Sequence, residues 1–210
     1  MNSPSIIQQE VTNAKAYLVF AHGAGADKSS AFLEQVSEQL NQRQFNVLRF
    51  NFNYMDKRLA DGKRYPPERM PKLVDCFNQV LASLETSLPV FLIGKSMGSR
   101  VAATIANQPE QRFRGVICLG YPFHPQKQPE KLRLEPLQQS LKPILVVQGT
   151  RDALGNQQEI SEYDLPSSVQ VEFLADGDHD LKPRKKSGYS HEQHLSSALD
   201  KIEAFIDEWR

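Results

Sequence analysis

Residues 90–100 read VFLIGKSMGSR, and this stretch decides how the rest of the chain is interpreted. Its first half is a short apolar run typical of a buried strand, and the residues after it have helical spacing. Between them, GKSMG fits the pattern G-x-S-x-G, a sharp turn that holds the serine hydroxyl above a sheet edge. Gly94 and Gly98 are the small residues that the crowded turn requires. We therefore predict that Ser96 is a nucleophile.

Apolar runs and segments of helical period alternate along the whole chain. The runs are nearly continuous, as in strands that are covered on both faces. This alternation predicts the α/β class, with one mostly parallel sheet, helices on both faces and a single domain over residues 1–210. The predicted strands are 16–20, 45–52, 90–94, 115–121, 144–149 and 169–174. The predicted helices are 30–42, one that opens at Pro71, 99–107 and 192–209, whereas 53–67 is predicted to be a long loop.

A loop of small residues, AHGAGA at 21–26, follows the first predicted strand. One backbone N–H donor from this loop and one from the residue after the nucleophile would together stabilise the negative oxygen of a tetrahedral intermediate. We predict that these are the amides of Met97 and Ala24, with Gly23 allowing the loop to approach the substrate. His22 in the same loop is an alternative base. It precedes the nucleophile, however, and a role in orienting the loop fits it better.

A serine hydroxyl needs an imidazole to accept its proton and a carboxylate to orient that imidazole. His179 lies in ADGDHD, a turn after the last predicted strand, and is the predicted base. Asp152 follows the strand at 144–149 and is the predicted acid. Three other aspartates lie too close to His179 in sequence to reach its far side and are interpreted as turn residues: Asp176, Asp178 and Asp180. Of the remaining histidines, His124 could line a pocket, and His191 and His194 are expected to be solvated.

Charge and composition exclude several other functions. Lysine plus arginine equals aspartate plus glutamate at 25 each, so neither a nucleic-acid nor an anionic-membrane partner is expected. No run approaches the roughly 18 apolar residues of a membrane span, and the first 20 residues lack the ordered features of a signal peptide. Cys76 and Cys118 lie in apolar segments and are expected to be buried thiols, as in a reducing compartment. We expect a cytoplasmic protein that needs no metal or cofactor.

Basic residues near the predicted site have two interpretations. Lys95 and Arg100 flank the serine and are expected to be solvated or paired at the surface, although Lys95 could instead recognise an anionic group. A basic run follows the predicted base and is either a solvated loop or, with Arg58 and Arg64, part of a pocket mouth that attracts anionic substrates. Its members are Lys182, Arg184, Lys185 and Lys186.

Four segments carry a resemblance to a known family: AHGAGA, FLIGKSMGSRVA, VVQGTRDALG and GDHDLKPRKKSG. As an ordered set they resemble the α/β-hydrolase superfamily, and more closely its dienelactone-hydrolase-like group. That group includes the domain shared by testis-expressed protein 30 and a chromatin acetyltransferase subunit. The resemblance covers nearly the whole chain and implies Ser96 as nucleophile, Asp152 as acid and His179 as base, acting on an ester-like bond. Only about 20 residues separate Tyr121 from Lys142, so no large lid domain is expected.

Three functions remain open on the sequence. The first is a serine hydrolase that cleaves a small carboxylic ester or thioester through an acyl-enzyme on Ser96. The second is a non-catalytic interaction module that keeps the fold, as the chromatin relative suggests, and the third is a peptidase with the same triad. Dienelactone itself is not the expected substrate, because dienelactone hydrolases use a cysteine nucleophile and this chain has a serine.

Overall fold

The computed structural model describes residues 4–109 and 112–210, and within these ranges seven strands form one sheet. The strands are β1 (Ile6–Gln9), β2 (Ala16–Ala21), β3 (Phe45–Phe50), β4 (Val90–Lys95), β5 (Phe113–Leu119), β6 (Ile144–Gly149) and β7 (Val169–Leu174). The helices are α1 (Ala31–Gln42), α2 (Asn53–Asp61), α3 (Met70–Ser83), α4 (Met97–Ile105), α5 (Glu135–Gln138), α6 (Gln157–Ser161) and α7 (His191–Trp209), with a short 3-10 turn at Lys185–Ser187.

The spatial order of the strands is β1-β3-β2-β4-β5-β6-β7, and every pairing except the antiparallel β1–β3 pair is parallel. After β2 the chain moves to one side of the sheet, and from β4 onward it moves to the other. Such a reversal opens a crevice outside the carboxyl ends of the two strands. The loops that follow β2 and β4, which carry the predicted oxyanion loop and nucleophile, therefore lie side by side.

Two apolar cores cover the sheet, one on each face. Helices α1 and α7 pack on one face, where Leu33, Leu40, Leu199 and Ile202 are buried. The other core contains buried residues of α2, α3 and α4. Because β2, β3, β4 and β6 are buried along their full length, they lack the alternating pattern of a half-exposed strand. The predicted α/β architecture is confirmed.

The predicted loop at 53–67 is partly wrong, because its first half forms α2. Only Tyr54 and Met55 of this helix are buried, so it has little apolar periodicity to detect. Its C-terminal signal is Gly62, which has a φ of 71° and donates its N–H to the Arg58 carbonyl. Three further elements, β1, α5 and α6, were not predicted from the sequence, and each is five residues or shorter.

The segment between β5 and β6 contains only the four-residue α5, so the chain carries no large lid at this point. No helix in the two described ranges combines the length and apolarity needed to cross a bilayer. The first three residues of the segment assessed for a signal peptide lie outside the described residues.

Candidate active site

The turn between β4 and α4 has the backbone strain that its sequence predicts. Ser96 has a φ of 53° and a ψ of −116°, a backbone conformation that residues other than glycine rarely adopt. A Cβ atom on Gly94 would lie 2.3 Å from the Gly98 carbonyl carbon, and one on Gly98 would lie 2.4 Å from the Ala21 carbonyl oxygen. The requirement for glycine on both sides of the serine is thus confirmed.

Three predicted site residues meet at the carboxyl edge of the sheet. Ser96 follows β4, Asp152 follows β6 and His179 follows β7. His179 Nε2 lies 2.7 Å from Ser96 Oγ, and His179 Nδ1 lies 2.8 Å from Asp152 Oδ2. These distances form a continuous chain of hydrogen bonds from hydroxyl to imidazole to carboxylate, which is the geometry required to activate a serine.

The Asp152 carboxylate is fully buried and fully hydrogen-bonded. Its Oδ2 also accepts a hydrogen bond of 2.9 Å from the Gln148 amide, and its Oδ1 accepts one of 2.8 Å from the Leu154 N–H. Gln148 is itself buried and donates to the carbonyls of Tyr121 and Gly155. These contacts fix the carboxylate in one orientation, so that it can hold the imidazole in one tautomer.

Lys95, the last residue of β4, anchors the loop that carries His179. The Lys95 ammonium donates a 2.9 Å hydrogen bond to the His179 carbonyl and lies 3.1 Å from Asp180 Oδ1. Burial lowers the pKa of this amine, and the neighbouring Asp180 carboxylate partly offsets that effect. The prediction of a solvated or surface-paired Lys95 is therefore wrong: the residue is only 6% exposed, and its head group is held by the loop.

The predicted oxyanion residues surround Ser96. Ala24, Ser96 and Met97 line one pocket, and a Cβ on Gly23 would lie 3.5 Å from Ser96 Cβ. The Tyr54 hydroxyl donates a 3.0 Å hydrogen bond to the Ala24 carbonyl, which fixes the loop from the side of α2. Sequence reasoning missed this role of Tyr54 because it assigned the residue to an unstructured loop.

His22 holds the oxyanion loop rather than contacting the nucleophile. Its Nε2 accepts a 3.1 Å hydrogen bond from the Phe52 N–H, and its Nδ1 lies 2.7 Å from the Gly23 carbonyl. Both ring nitrogens are thus occupied by backbone partners. Burial lowers the pKa of His22 to about 4, so the ring is neutral in this position. These contacts support the orienting role over the alternative role as base.

The other histidines and aspartates have local partners. His194 is buried rather than solvated, with Nδ1 2.9 Å from the Leu181 carbonyl, which corrects the prediction for this residue. His191 Nε2 lies 3.1 Å from the Asp180 carbonyl, and His124 Nδ1 lies 2.9 Å from the Pro125 carbonyl. Asp176 pairs with Arg184, and Asp178 accepts from the amides of Asp180 and Lys182, as expected of turn residues.

A pocket of about 450 Å³ opens directly at Ser96. Apolar side chains form much of its wall, including Met70, Leu73 and Leu154. Its basic residues are Arg69, Arg100 and Arg133, whereas the run at 182–186 and the pair Arg58 and Arg64 do not line it. Sequence reasoning missed Arg69 and Arg133 because they lie in segments without a motif, and only the fold brings them near Ser96.

Metal-binding clusters and activated thiols are two other kinds of reactive site that the described ranges could contain. No cluster of three or more histidine, cysteine or acidic side chains that could hold a metal ion occurs in 4–109 and 112–210. Cys76 and Cys118 are free and buried, as predicted, and burial raises the pKa of both thiols, that of Cys76 to about 12. Neither is therefore poised to form a thiolate nucleophile.

Comparisons with known proteins agree with this architecture. The chain superimposes on a dienelactone hydrolase from Anabaena variabilis with a TM-score of 0.71 and 19% identity, over 100% of both chains. A lidless α/β serine hydrolase from Xanthomonas campestris matches with a TM-score of 0.71 and 14% identity, over 95% of this chain and 88% of the other. Est1E from Butyrivibrio proteoclasticus matches with a TM-score of 0.72 and 12% identity, over 96% of this chain and 94% of the other.

These structural matches show a shared fold, and the confirmed fold class is that of the α/β hydrolases without a large lid. The narrower resemblance to the domain of testis-expressed protein 30 stays a prediction. A sequence model of the alpha/beta hydrolase domain matches residues 14–207, which is nearly the whole chain and includes every residue of the candidate site. The chain belongs to the alpha/beta hydrolase domain family.

Proposed function

We propose that this protein is a serine hydrolase that cleaves a small carboxylic ester or thioester through an acyl-enzyme on Ser96. The observation that carries the proposal is the unbroken hydrogen-bond chain from Ser96 through His179 to the buried Asp152. Membership of a hydrolase family supports a hydrolytic role. The strained backbone of Ser96 adds support, because strain of this kind costs about 1–3 kcal/mol and persists where function requires it.

The first half of the reaction forms the acyl-enzyme. Ser96 Oγ attacks the substrate carbonyl carbon while His179 Nε2 takes the hydroxyl proton, and Asp152 stabilises the resulting imidazolium. The carbonyl oxygen becomes an oxyanion, to which we assign the amides of Met97 and Ala24 as donors. When the tetrahedral intermediate collapses, His179 gives its proton to the departing alcohol or thiol.

The second half repeats this chemistry with water. His179 removes a proton from a water molecule, the water oxygen attacks the acyl carbon, and the same two amides receive the second oxyanion. Ser96 leaves with the proton from His179, so the net reaction consumes one ester and one water and releases one acid and one alcohol. The chain's own groups supply every proton transfer, and the substrate is a small molecule that fits a pocket of about 450 Å³.

A non-catalytic interaction module is the weaker interpretation of the same site. A scaffold has no use for the strained backbone of Ser96 or for the anchored glycine-rich loop. Nor does it need a buried Asp152 carboxylate that is hydrogen-bonded to His179, Gln148 and the Leu154 N–H. We place the activity in the cytoplasm, and the two buried free thiols fit that reducing compartment.

Covalent labelling tests the proposal directly. We expect a fluorophosphonate probe to label the wild-type protein and Ser96→Ala to remain unlabelled, while the control Ser161→Ala, at an exposed serine of α6, labels fully. Turnover of p-nitrophenyl acetate and of a short acyl thioester should follow the labelling. A wild-type protein that neither takes up the probe nor hydrolyses either substrate would overturn the proposed function.

A further inference from the structure

One wall of the pocket at Ser96 carries positive charge that the protein itself does not neutralise. Arg100 lies one turn along α4, where its N–H donates a 3.2 Å hydrogen bond to the Ser96 carbonyl. Its side chain lines the pocket, and its Nε is buried without a hydrogen-bond partner among the described residues. A buried guanidinium N–H that lacks a partner is costly, and this one shows that the described chain does not satisfy the hydrogen-bonding capacity of Arg100.

Arg133 reaches the same pocket from the segment that follows β5, and its backbone is tightly held. The buried Tyr121 hydroxyl donates a 2.8 Å hydrogen bond to the Arg133 carbonyl, and the Arg133 N–H donates one of 2.7 Å to the Phe123 carbonyl. Burial lowers the pKa of this guanidinium, and the positive charge of Arg100 lowers it further. The two cations line the same pocket, and their like charges oppose each other there.

The pocket has too little negative charge to balance these residues. Arg69 is a third cation in its lining, and Glu68 is the acidic one among the described residues that line it. No carboxylate in ranges 4–109 and 112–210 lies within 4.0 Å of a guanidinium nitrogen of Arg100 or Arg133. Arginine stays protonated in proteins, so at least one net positive charge is left for a ligand.

We propose that Arg100 and Arg133 form a subsite for a carboxylate carried by the substrate itself. The preferred substrate is then a short ester or thioester whose hydrocarbon chain packs on the apolar wall and whose far end is a carboxylate. Guanidinium groups bind carboxylates through paired, charge-assisted hydrogen bonds, which give both affinity and orientation. This inference rests on the proposed function and specifies its substrate class.

Isosteric ester pairs test the subsite. Monomethyl glutarate and methyl pentanoate differ by a carboxylate in place of a methyl group on the acyl side, and 4-acetoxybutanoate and butyl acetate differ in the same way on the alcohol side. We expect the wild-type kcat/KM to be roughly tenfold or more higher for the acidic member of at least one pair. A hydrogen bond to a charged group stabilises a bound state enough to produce a difference of this size. Added salt should reduce the preference.

The matched variants are Arg100→Gln, Arg133→Gln and the control Arg114→Gln, an exposed arginine on β5 that does not line the pocket. Each pocket variant should lower the ratio of acidic to neutral kcat/KM by roughly tenfold, and the control should leave it unchanged. The proposal is overturned if the neutral ester is preferred in both pairs or if the ratio survives both substitutions.

Binding to Ser96→Ala separates this proposal from the proposed function. Calorimetric titration with monomethyl glutarate and 4-acetoxybutanoate should show binding of the preferred ester that weakens roughly tenfold when Arg100→Gln is added. Equal binding by the two proteins overturns the subsite, whether or not the wild type is an enzyme. Conversely, absence of fluorophosphonate labelling with charge-dependent binding intact would reject the hydrolase and keep the subsite. Matching circular dichroism spectra of all variants establish that they are folded.

Discussion

The two halves of the site differ in how their polar groups are satisfied. At the loops that follow β6 and β7, Asp152, His179 and the Lys95 head group that reaches them from β4 all have protein partners at 2.7–3.1 Å. On the side of α4 and the segment after β5, Arg100 and Arg133 line the pocket, and neither guanidinium has a carboxylate partner in the described chain. Groups with internal partners are held in fixed positions for chemistry, whereas unpaired cations are available for a ligand. One set of residues therefore serves the reaction, and a different set is free to recognise the substrate.

The largest expected effect comes from the buried carboxylate. Asp152→Asn should lower kcat by about four orders of magnitude, because the amide favours the wrong tautomer of His179. Steady-state ester hydrolysis measures the loss, and Asp164→Asn, at an exposed aspartate outside the site, is the control. A loss smaller than tenfold would mean that the contact with His179 does not orient the base.

Lys95 tests whether anchoring of the loop matters separately from the triad. Lys95→Met removes the hydrogen bond to the His179 carbonyl and should lower kcat by roughly tenfold to a hundredfold, because small displacements of a base are costly. KM should change little, since Lys95 does not line the pocket. Lys63→Met, at an exposed position, is the control. If KM rises while kcat is kept, Lys95 contributes to recognition rather than to positioning.

His22 links the oxyanion loop to the pH dependence of stability. Its pKa is about 4 in the folded chain, whereas the ordinary value for a solvated histidine is 6.5, so between these values the unfolded chain binds the proton and the folded chain does not. Acidification through this window therefore favours unfolding, by about 3 kcal/mol when it is complete. His22→Gln should flatten the dependence of the unfolding free energy on pH between 6.5 and 4, measured by urea titration. His191→Gln is the control, and an unchanged slope in His22→Gln would contradict the assignment.

The smallest effect is expected in the basic run after His179. Lys185→Gln with Lys186→Gln should change kcat/KM for an acidic ester by less than about twofold, because both side chains are exposed and their charges are screened. Arg100→Gln, assayed in parallel, is the matched comparison. A larger effect in the double lysine variant than in Arg100→Gln would show that this loop binds the anionic group of the substrate. That is one of the two interpretations that the sequence left open.

The sequence predicted the elements that carry strong local signals. The apolar strands follow from composition, and the nucleophile turn follows from glycines at two required positions. Residues 53–61 did not reveal their helix, because only two side chains of α2 are buried and tertiary contacts stabilise the rest. The edge strand β1 is four residues long and is defined by its pairing with β3, a contact that no local pattern encodes.

The candidate site also contains residues that the sequence could predict and residues that it could not. The geometry of Ser96, Asp152 and His179 could be predicted because each residue follows a strand, and the carboxyl ends of parallel strands share one edge. Burial of Lys95 and the convergence of Arg100 with Arg133 could not be predicted. Both depend on how loops distant in the chain fold over the sheet, and single basic residues carry no local signal of their partners.

The hydrogen bond between the Arg133 N–H and the Phe123 carbonyl closes a surface loop whose tip, residues 126–132, is exposed to solvent. Because the two stems are tied to each other, extra chain inserted at the tip would leave the pocket wall in place. The fold therefore offers a site where a cap could be grafted over the entrance. Such an insertion would change which molecules gain access to the serine while the catalytic arrangement beneath it stayed the same.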